Sequence, residues 1–230
     1  MRTPGNDLEL AAGFLRSENV ISQYCQIEKM DFAGPKPDNG NHGNTLVVDL
    51  SAEITFSADQ LQRHFYMTSS CGVCGKASIE AVMQQGFCPV PRTIAVSADL
   101  VRSLPEQLRR NQAVFESTGG LHAAGLFNYQ GQLLAIREDV GRHNAVDKLV
   151  GAQMSDLQEQ FPAAGRILVV SGRASFELVQ KALTASFEML VAVGAPSSLA
   201  IELASEFNLT LVGFASSARI NVYSGFERIT

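Results

Sequence analysis

Three short apolar runs, Ile167–Val170, Met189–Val193 and Leu209–Phe214, constrain what this chain can fold into more than any other feature. Each is strand-length, and the stretches between them have helical character. Ser171-Gly172-Arg173-Ala174-Ser175 turns into a helix ending near Thr184, and Ser197–Phe207 reads as the next helix. Strand, helix, strand, helix, strand in succession implies parallel strands joined by right-handed crossovers. The prediction is therefore a layered α/β domain, with Ile220–Tyr223 as a candidate fourth strand.

The earlier chain adds pieces to that frame. Asn6-Asp7-Leu8-Glu9 reads as a capping box opening a helix to Ser17 that buries Leu8, Ala11, Ala12 and Leu15. Gln23–Met30 and Thr45–Leu50 are strand candidates, separated by the Gly-, Pro- and Asn-rich loop Ala33–Asn44, in which His42 is expected to be solvated. That loop suggests a small lobe over residues 1–44 and a main domain over 45–230. Ser57-Ala58-Asp59-Gln60 opens a short helix to His64, and Thr93–Val96 is read as a strand. Ser103-Leu104-Pro105-Glu106 is read as the start of a helix to Phe115, with the proline in the first turn. Gly125–Tyr129, Gln130-Gly131 and Gln132–Ile136 make a β-hairpin. The polar turn from Arg137 to Asn144 leads into a helix, His143–Gln153, with Val146, Leu149 and Val150 on its core side.

Composition excludes several classes. The 230 residues are 46% hydrophobic, enough for a substantial core. A formal charge of −5 without a basic region argues against duplex nucleic acid as a partner. There is no apolar run of membrane-spanning length and no export signal at Met1-Arg2-Thr3-Pro4, so a cytoplasmic protein is expected. Four cysteines are too few for a disulfide scaffold in a chain of this size.

Function is concentrated in Cys71-Gly72-Val73-Cys74-Gly75-Lys76. Two thiols precede a predicted helix, Ala77–Gln85, whose Ile79, Val82 and Met83 share a side and which stops at Gly86. The helix N-terminus and Lys76 both favour thiolate. Such a pair can grip a metal, cycle a disulfide or carry sulfur as a persulfide. A Cys3His zinc site would need Cys88 and His64, and no second CxxC exists to complete it. A thioredoxin-type site is disfavoured because the parallel sheet lies far downstream. A zinc deaminase would need a glutamate where Ala124 stands, and alanine moves no proton. The persulfide reading needs a nucleophilic thiol, loop mobility and an accepting surface; the loop supplies the first two, and by chemistry alone either cysteine qualifies.

The strand tips suggest what such a thiol serves. Gly172 and Arg173, with Ser175 leading into a helix, sit at the carboxyl end of a parallel strand, a natural anion site. Phe214 ends another such strand, with Ser216, Ser217 and Arg219 beyond it. The competing reading pairs Arg173 and Arg219 with acids such as Glu138 or Asp139. His143 and Asp147 share a helix face, a spacing that suits a structural contact better than a catalytic dyad. His122, beside Gly119-Gly120, is open to either reading.

Taken together, TSSCGVCGK (Thr68–Lys76), TGGLHAAGLF (Thr118–Phe127), REDVGRHNAVDKLVG (Arg137–Gly151), SGRASFELVQKA (Ser171–Ala182) and the terminal NLTLVGF and ARINVYSG closely resemble the FdhD family. The opening TPGNDLELAAGFLRSENVI is similar to it as well, so the likeness spans nearly the whole chain. The resemblance implies an α/β/α, cytidine-deaminase-like fold and a homodimer. It implies a sulfurtransferase that takes sulfur from a cysteine desulfurase and passes it to the molybdenum of bis(molybdopterin guanine dinucleotide), required for formate dehydrogenase activity. On that pattern Cys71 carries the persulfide and Cys74 is its partner thiol. The family's cofactor-binding stretch falls on Phe214, Ala215, Ser216, Ser217, Ala218 and Arg219, where Ala215–Ala218 differs from the Lys-Pro-Gly of some relatives. Relatives usually carry a further N-terminal segment, and a missing edge strand here would weaken folding or expose a sheet edge. The alternative is a non-enzymatic chaperone that binds the cofactor and docks formate dehydrogenase.

Overall fold

The structure is a computed structural model that describes residues 1–34, 43–55, 88–156 and 165–230. The Cys71–Cys74 pair, His42, His64 and the helices expected over 57–64 and 77–85 lie outside these residues, as does most of the loop at 33–44.

Three parallel strands form the centre: β5 (Arg166–Val170), β6 (Met189–Ala192) and β7 (Thr210–Gly213). Two antiparallel strands, β3 (His122–Asn128) and β4 (Leu133–Asp139), extend one side as the expected hairpin, and β8 (Asn221–Ser224) closes the other. The resulting order is β4-β3-β5-β6-β7-β8. Two further strands, β1 (Ile27–Ala33) and β2 (Thr45–Leu50), pair, among the described residues, only with each other.

Residues of the central strands alternate between two cores. Leu168, Val170, Leu190, Ala192 and Leu211 pack with α4 (Arg142–Asp156), α5 (Phe176–Thr184) and α6 (Ser198–Glu206). Ile167, Val169, Met189, Val191 and Val212 face the opposite side, where α2 (Ala98–Arg110) supplies Val101, Leu104 and Leu108. Both faces are covered, so these strands are apolar throughout rather than alternating. Ile167, Leu168, Val169 and Val170 are essentially solvent-free. Their burial contributes roughly 6–12 kcal/mol before conformational entropy is charged against it, at about 1.5–3 kcal/mol per side chain.

The helix α1 (Asp7–Ser17) is held against α4 by close backbone approach. A Cβ added at Gly13 would lie 1.8 Å from the Asp147 carbonyl oxygen, and one at Gly151 would lie 1.8 Å from that of Glu9. No side chain other than hydrogen fits at either crossing point. Glu9 pairs with Arg137 through two hydrogen bonds, of 2.5 and 2.7 Å. The chain ahead of α1 is also tied down. The Thr3 N–H donates to Asp139 (2.9 Å), the Thr3 hydroxyl oxygen accepts from the Val140 N–H (2.9 Å), and the Thr3 carbonyl accepts from Lys148 (2.8 Å).

Several local expectations are corrected. Leu8 is exposed, because α1 turns its small residues, Ala12, Gly13 and Ser17, toward α4. Asn6 adopts a left-handed backbone (φ 57°) and makes no side-chain cap, and Glu9 is drawn instead to Arg137. The first strand begins later than expected, after a 3-10 turn over Tyr24–Gln26 in which the Gln26 side chain accepts from the Ser22 and Gln23 N–H groups. The helix expected to begin at Ser103 begins at Ala98, capped by Ser97 accepting from the Leu100 N–H. It carries Pro105 in its interior and ends at Arg110, and a separate short helix, α3 (Ala113–Thr118), follows. An interior proline costs about 3 kcal/mol. Burial of Val101, Leu104 and Leu108 offsets it. Thr93–Val96 is not a strand: only Val96 bridges, to Ile229.

Candidate functional site at the strand tips

The hydrogen-bonded ladder continues past the carboxyl ends of β5, β6 and β7 and draws their loops into one row. The Gly194 N–H donates to the Gly172 carbonyl (2.9 Å), the Phe214 N–H to the Gly194 carbonyl (3.1 Å), and the Ala215 N–H to the Ala192 carbonyl (3.1 Å). Gly172, Gly194 and Phe214 thus stand side by side on adjacent strands, as expected where parallel strands end together. Arg173 lies over Gly194: a Cβ there would come within 2.8 Å of Arg173 Cγ and 2.9 Å of its Cα. The stem of Arg173 therefore lies against the tip of β6.

Phe214 is held at φ 51°, a conformation that a non-glycine residue adopts at a cost of about 1–2 kcal/mol. Its ring stays 41% exposed. An exposed aromatic at a strained strand end is an observation in search of a ligand rather than a packing requirement. Beyond it Ala215 turns into the core on the α2 side of the sheet, leaving its backbone as the contact it can offer. Ser216 closes the loop: its N–H donates to the Arg219 carbonyl (2.9 Å) and its hydroxyl oxygen accepts from the Arg219 N–H (3.3 Å). Ser217, Ala218 and Arg219 are exposed at the loop tip.

The reading that pairs Arg173 and Arg219 with Glu138 or Asp139 does not hold. Asp139 is buried against Lys148 (2.8 Å) and also accepts from Gly141, Thr3 and Asn144. Burial opposes its charge, but these donors outweigh burial and keep its carboxyl below the ordinary range. Glu138 caps α3, accepting from the Val114 and Phe115 N–H groups.

Asp147 is likewise committed elsewhere than to His143. It meets Lys181 through both oxygens at 2.9 Å and accepts from the Ser17 hydroxyl at 2.7 Å. Burial opposes the charge on Lys181, and Asp147 and Glu177 beside it more than reverse that effect, so the lysine stays protonated. His143 lies 3.1 Å from the Ser175 hydroxyl and 3.4 Å from the Glu177 carboxylate. Burial, then Arg142, Lys181 and His122, push its pKa down to about 4, so at neutral pH the ring is neutral, its Nε2 hydrogen-bonds with the Ser175 hydroxyl, and the contact with Glu177 is not an ion pair.

The row of tips has a further side. His122, the first residue of β3, faces Gly172: a Cβ there would sit 3.3 Å from His122 Nδ1 and 3.6 Å from Arg142 Cδ. Burial, reinforced by Arg142 and Arg173, holds the His122 imidazole below its ordinary pKa. Arg142 is not among the site residues that the sequence suggests. Its signal was present: Arg142 and His143 open a helix whose first turn holds no acid, against the helix dipole.

Among the described residues no cluster of three His, Cys, Asp or Glu side chains could hold a metal, and no helix is long and apolar enough to cross a membrane. The family model for the FdhD/NarQ family matches residues 1–230. The chain belongs to the FdhD/NarQ family. Relatives in that family include proteins named sulfur carrier protein FdhD. The Streptomyces coelicolor protein is 48% identical over 232 residues, covering 100% of this chain and 82% of the relative. The Mycobacterium tuberculosis protein is 47% identical over 235 residues (100% and 84%), and the Saccharolobus solfataricus protein 42% identical over 229 (100% and 82%). The fold is shared with a crystal structure from Desulfotalea psychrophila provisionally described as a formate dehydrogenase accessory protein. The TM-score is 0.72 at 24% identity, covering 100% of this chain and 82% of that one. The mixed α/β architecture is thus that of an FdhD-type protein.

Proposed function

We propose that this chain is a sulfur carrier serving formate dehydrogenase. In this reading the Cys71 thiolate attacks the outer sulfur of a persulfide on a cysteine desulfurase. A new S–S bond forms at Cys71, the donor's S–S bond breaks, and the donor cysteine leaves as its thiolate. Cys74 then shields or resolves the loaded sulfur. The acceptor is bis(molybdopterin guanine dinucleotide), whose molybdenum would take the sulfur as sulfide: attack of the Cys74 thiolate on the Cys71 sulfur breaks the persulfide S–S bond, releases sulfide and leaves a Cys71–Cys74 disulfide, so the thiol pair supplies the two electrons. Its nucleotide end suits the strand tips. Arg173 and Arg219 offer guanidinium groups to phosphates, Phe214 offers a face on which a guanine can stack, and Gly172 lets the backbone come close. A reducing cytoplasm would keep the cysteine pair available.

The observation that carries this proposal is full-length similarity, at about half identity, to proteins named sulfur carrier protein FdhD. The exposed aromatic-and-arginine row supports its second half. The test is intact-mass spectrometry after incubation with a cysteine desulfurase and cysteine. One added sulfur should appear, map to Cys71 and vanish in Cys71→Ala. A chain that gains no sulfur, yet binds the cofactor and formate dehydrogenase, is the non-enzymatic chaperone instead.

A further inference from the structure

Residues 1–6 form a strap over the turn that leads from β4 into α4. Thr3 is its anchor, and all three of its polar groups are used. Its N–H donates to Asp139 Oδ2 (2.9 Å), its hydroxyl oxygen accepts from the Val140 N–H (2.9 Å), and its carbonyl accepts from Lys148 Nζ (2.8 Å). The strap is tied on both sides of Thr3. Asn144 donates to the Met1 carbonyl (3.0 Å), and Arg2 pairs with Asp7 and donates to Asn44 (3.3 Å). Gly5 and Asn6 follow at positive φ (97° and 57°) and turn the chain from the strap into α1.

The turn beneath the strap is built on Asp139. Its Oδ1 accepts from the Gly141 N–H (2.8 Å) and from Asn144 (3.0 Å), and its Oδ2 meets Lys148 at 2.8 Å. The Asp139 and Lys148 side chains are 0% and 1% exposed, so the strap is fastened to a fixed point in the interior. Gly141 is the last residue before α4, and its carbonyl accepts the opening bond of the helix from the Ala145 N–H (3.0 Å). Whatever sets Val140 and Gly141 therefore sets the direction in which Arg142 and His143 leave. Arg142 Cδ lies 3.6 Å from where a Cβ on Gly172 would stand, in a space that His122 also borders, and His143 Nε2 lies 3.1 Å from the Ser175 hydroxyl.

Arg142 does not hold that place by its own preference. It stands at the positive end of α4, in a first turn without an acid, and Arg142 and Arg173 act together on the same His122. Helix dipole and like charge both push Arg142 away from Gly172. Bonds from outside the helix must oppose that push, and the strap supplies them at Val140, Asn144 and Lys148. We propose that Thr3 is a positioning residue, which holds Arg142 and His143 against His122 and Gly172 through the Val140–Gly141 turn and so couples the strap to the strand tips. Thr3 acts on the turn and not on a ligand. The identity of what binds at the tips rests on the proposed function, whereas the latch is a property of the chain alone. A molecule whose turn has let go presents an incomplete site, so apparent affinity falls with the fraction that is latched.

The test uses the full chain. Thr3→Val keeps the shape, the N–H and the carbonyl, and removes only the acceptor for Val140; Thr3→Ser keeps that acceptor. Two measurements are made: an NMR titration of the histidines without ligand, with His122 assigned by the signal lost in His122→Gln, and calorimetric titration with guanosine diphosphate. Thr3→Val should bring the His122 pKa up toward its ordinary value, because Arg142 is one of the charges holding it down. It should also weaken guanosine diphosphate by about threefold or more, part of the worth of one charge-assisted hydrogen bond. Thr3→Ser should match the parent in both. Asn144→Ala, which cuts the ties to Met1 and Asp139, should move both in the same direction as Thr3→Val and replaces it if Thr3→Val folds poorly. Val101→Ala, a destabilising change in the buried stripe of α2, should move neither, so general loosening cannot imitate the result. The proposal is overturned if Thr3→Val and Asn144→Ala leave the His122 pKa at the parent's value, if Thr3→Ser behaves as Thr3→Val does, or if Val101→Ala moves His122 equally. A raised His122 pKa beside an unchanged guanosine diphosphate affinity also overturns it, since the strap would then hold the turn without serving the site. A parent that binds no guanosine diphosphate removes the nucleotide reading of the tips, and the His122 titration then decides the latch by itself.

Discussion

Replacing Gly13 by alanine places the two main influences on a helical glycine in opposition. Helix propensity favours alanine by about 1 kcal/mol, so a solvent-facing site would be stabilised. At Gly13 the new methyl would lie 1.8 Å from the Asp147 carbonyl oxygen, and that oxygen belongs to the α4 backbone, which cannot rotate aside. Restoring ordinary contact requires α1 and α4 to part by roughly 1.5 Å. A shift of that size breaks the 2.7 Å hydrogen bond from Ser17 to Asp147, and it opens a gap beside Ala12, which is fully buried. Overpacking costs about 1–3 kcal/mol and loss of a hydrogen bond to a charged group about 1.5–3 kcal/mol. After the propensity gain, Gly13→Ala should destabilise by about 1.5–5 kcal/mol. Urea unfolding followed by circular dichroism measures it, with Gly120→Ala as the control. Beyond its chain neighbours, a Cβ at Gly120 would come no closer than 3.9 Å, to the Thr118 carbonyl oxygen, so that variant should stay within about 0.5 kcal/mol of the parent. A Gly13→Ala protein as stable as the parent, or more stable, refutes the close-crossing argument.

The pH dependence of stability should carry a His143 signature. Its folded pKa of about 4 lies below the ordinary 6.5, so between these values the unfolded chain binds a proton that the native ring refuses. The stability from keeping this ring neutral is complete above pH 6.5 and is lost as pH falls toward 4, by an amount on the order of 1–3 kcal/mol. His143→Gln should lose less stability than the parent between pH 7 and pH 5, read as urea midpoints; parallel losses would rule this out. Lys148→Met leaves Asp139 buried without its cation and should cost about 3 kcal/mol. Adding Asp139→Asn should restore part of that loss, and a double variant less stable than Lys148→Met would contradict the ion-pair account.

Much of the frame was legible because burial on both faces of the sheet demands apolar runs. Ile167–Val170, Met189–Val193 and Leu209–Phe214 correspond to β5, β6 and β7 within a residue or two, and Ser175 and Ser197 cap the helices expected after them. Boundaries failed where a distant partner overrode local preference. Glu9 left a capping box for Arg137, 128 residues away, and the buried stripe of α2 carried the helix through Pro105. Within the candidate site, Gly172, Arg173, Phe214 and Arg219 were legible from their place after apolar runs. Arg142 was not, because its place beside Gly172 depends on how folding holds the β4–α4 turn.

The sequence by itself determined the order of strands and helices, the parallel centre and the family, since periodicity and long specific motifs are local properties of the chain. The tertiary structure alone decided which small residues let α1 and α4 touch and which carboxylates were consumed by Lys148 and Lys181. Those outcomes depend on three-dimensional distances between residues far apart in the chain, and electrostatic pairing and steric exclusion act through those distances.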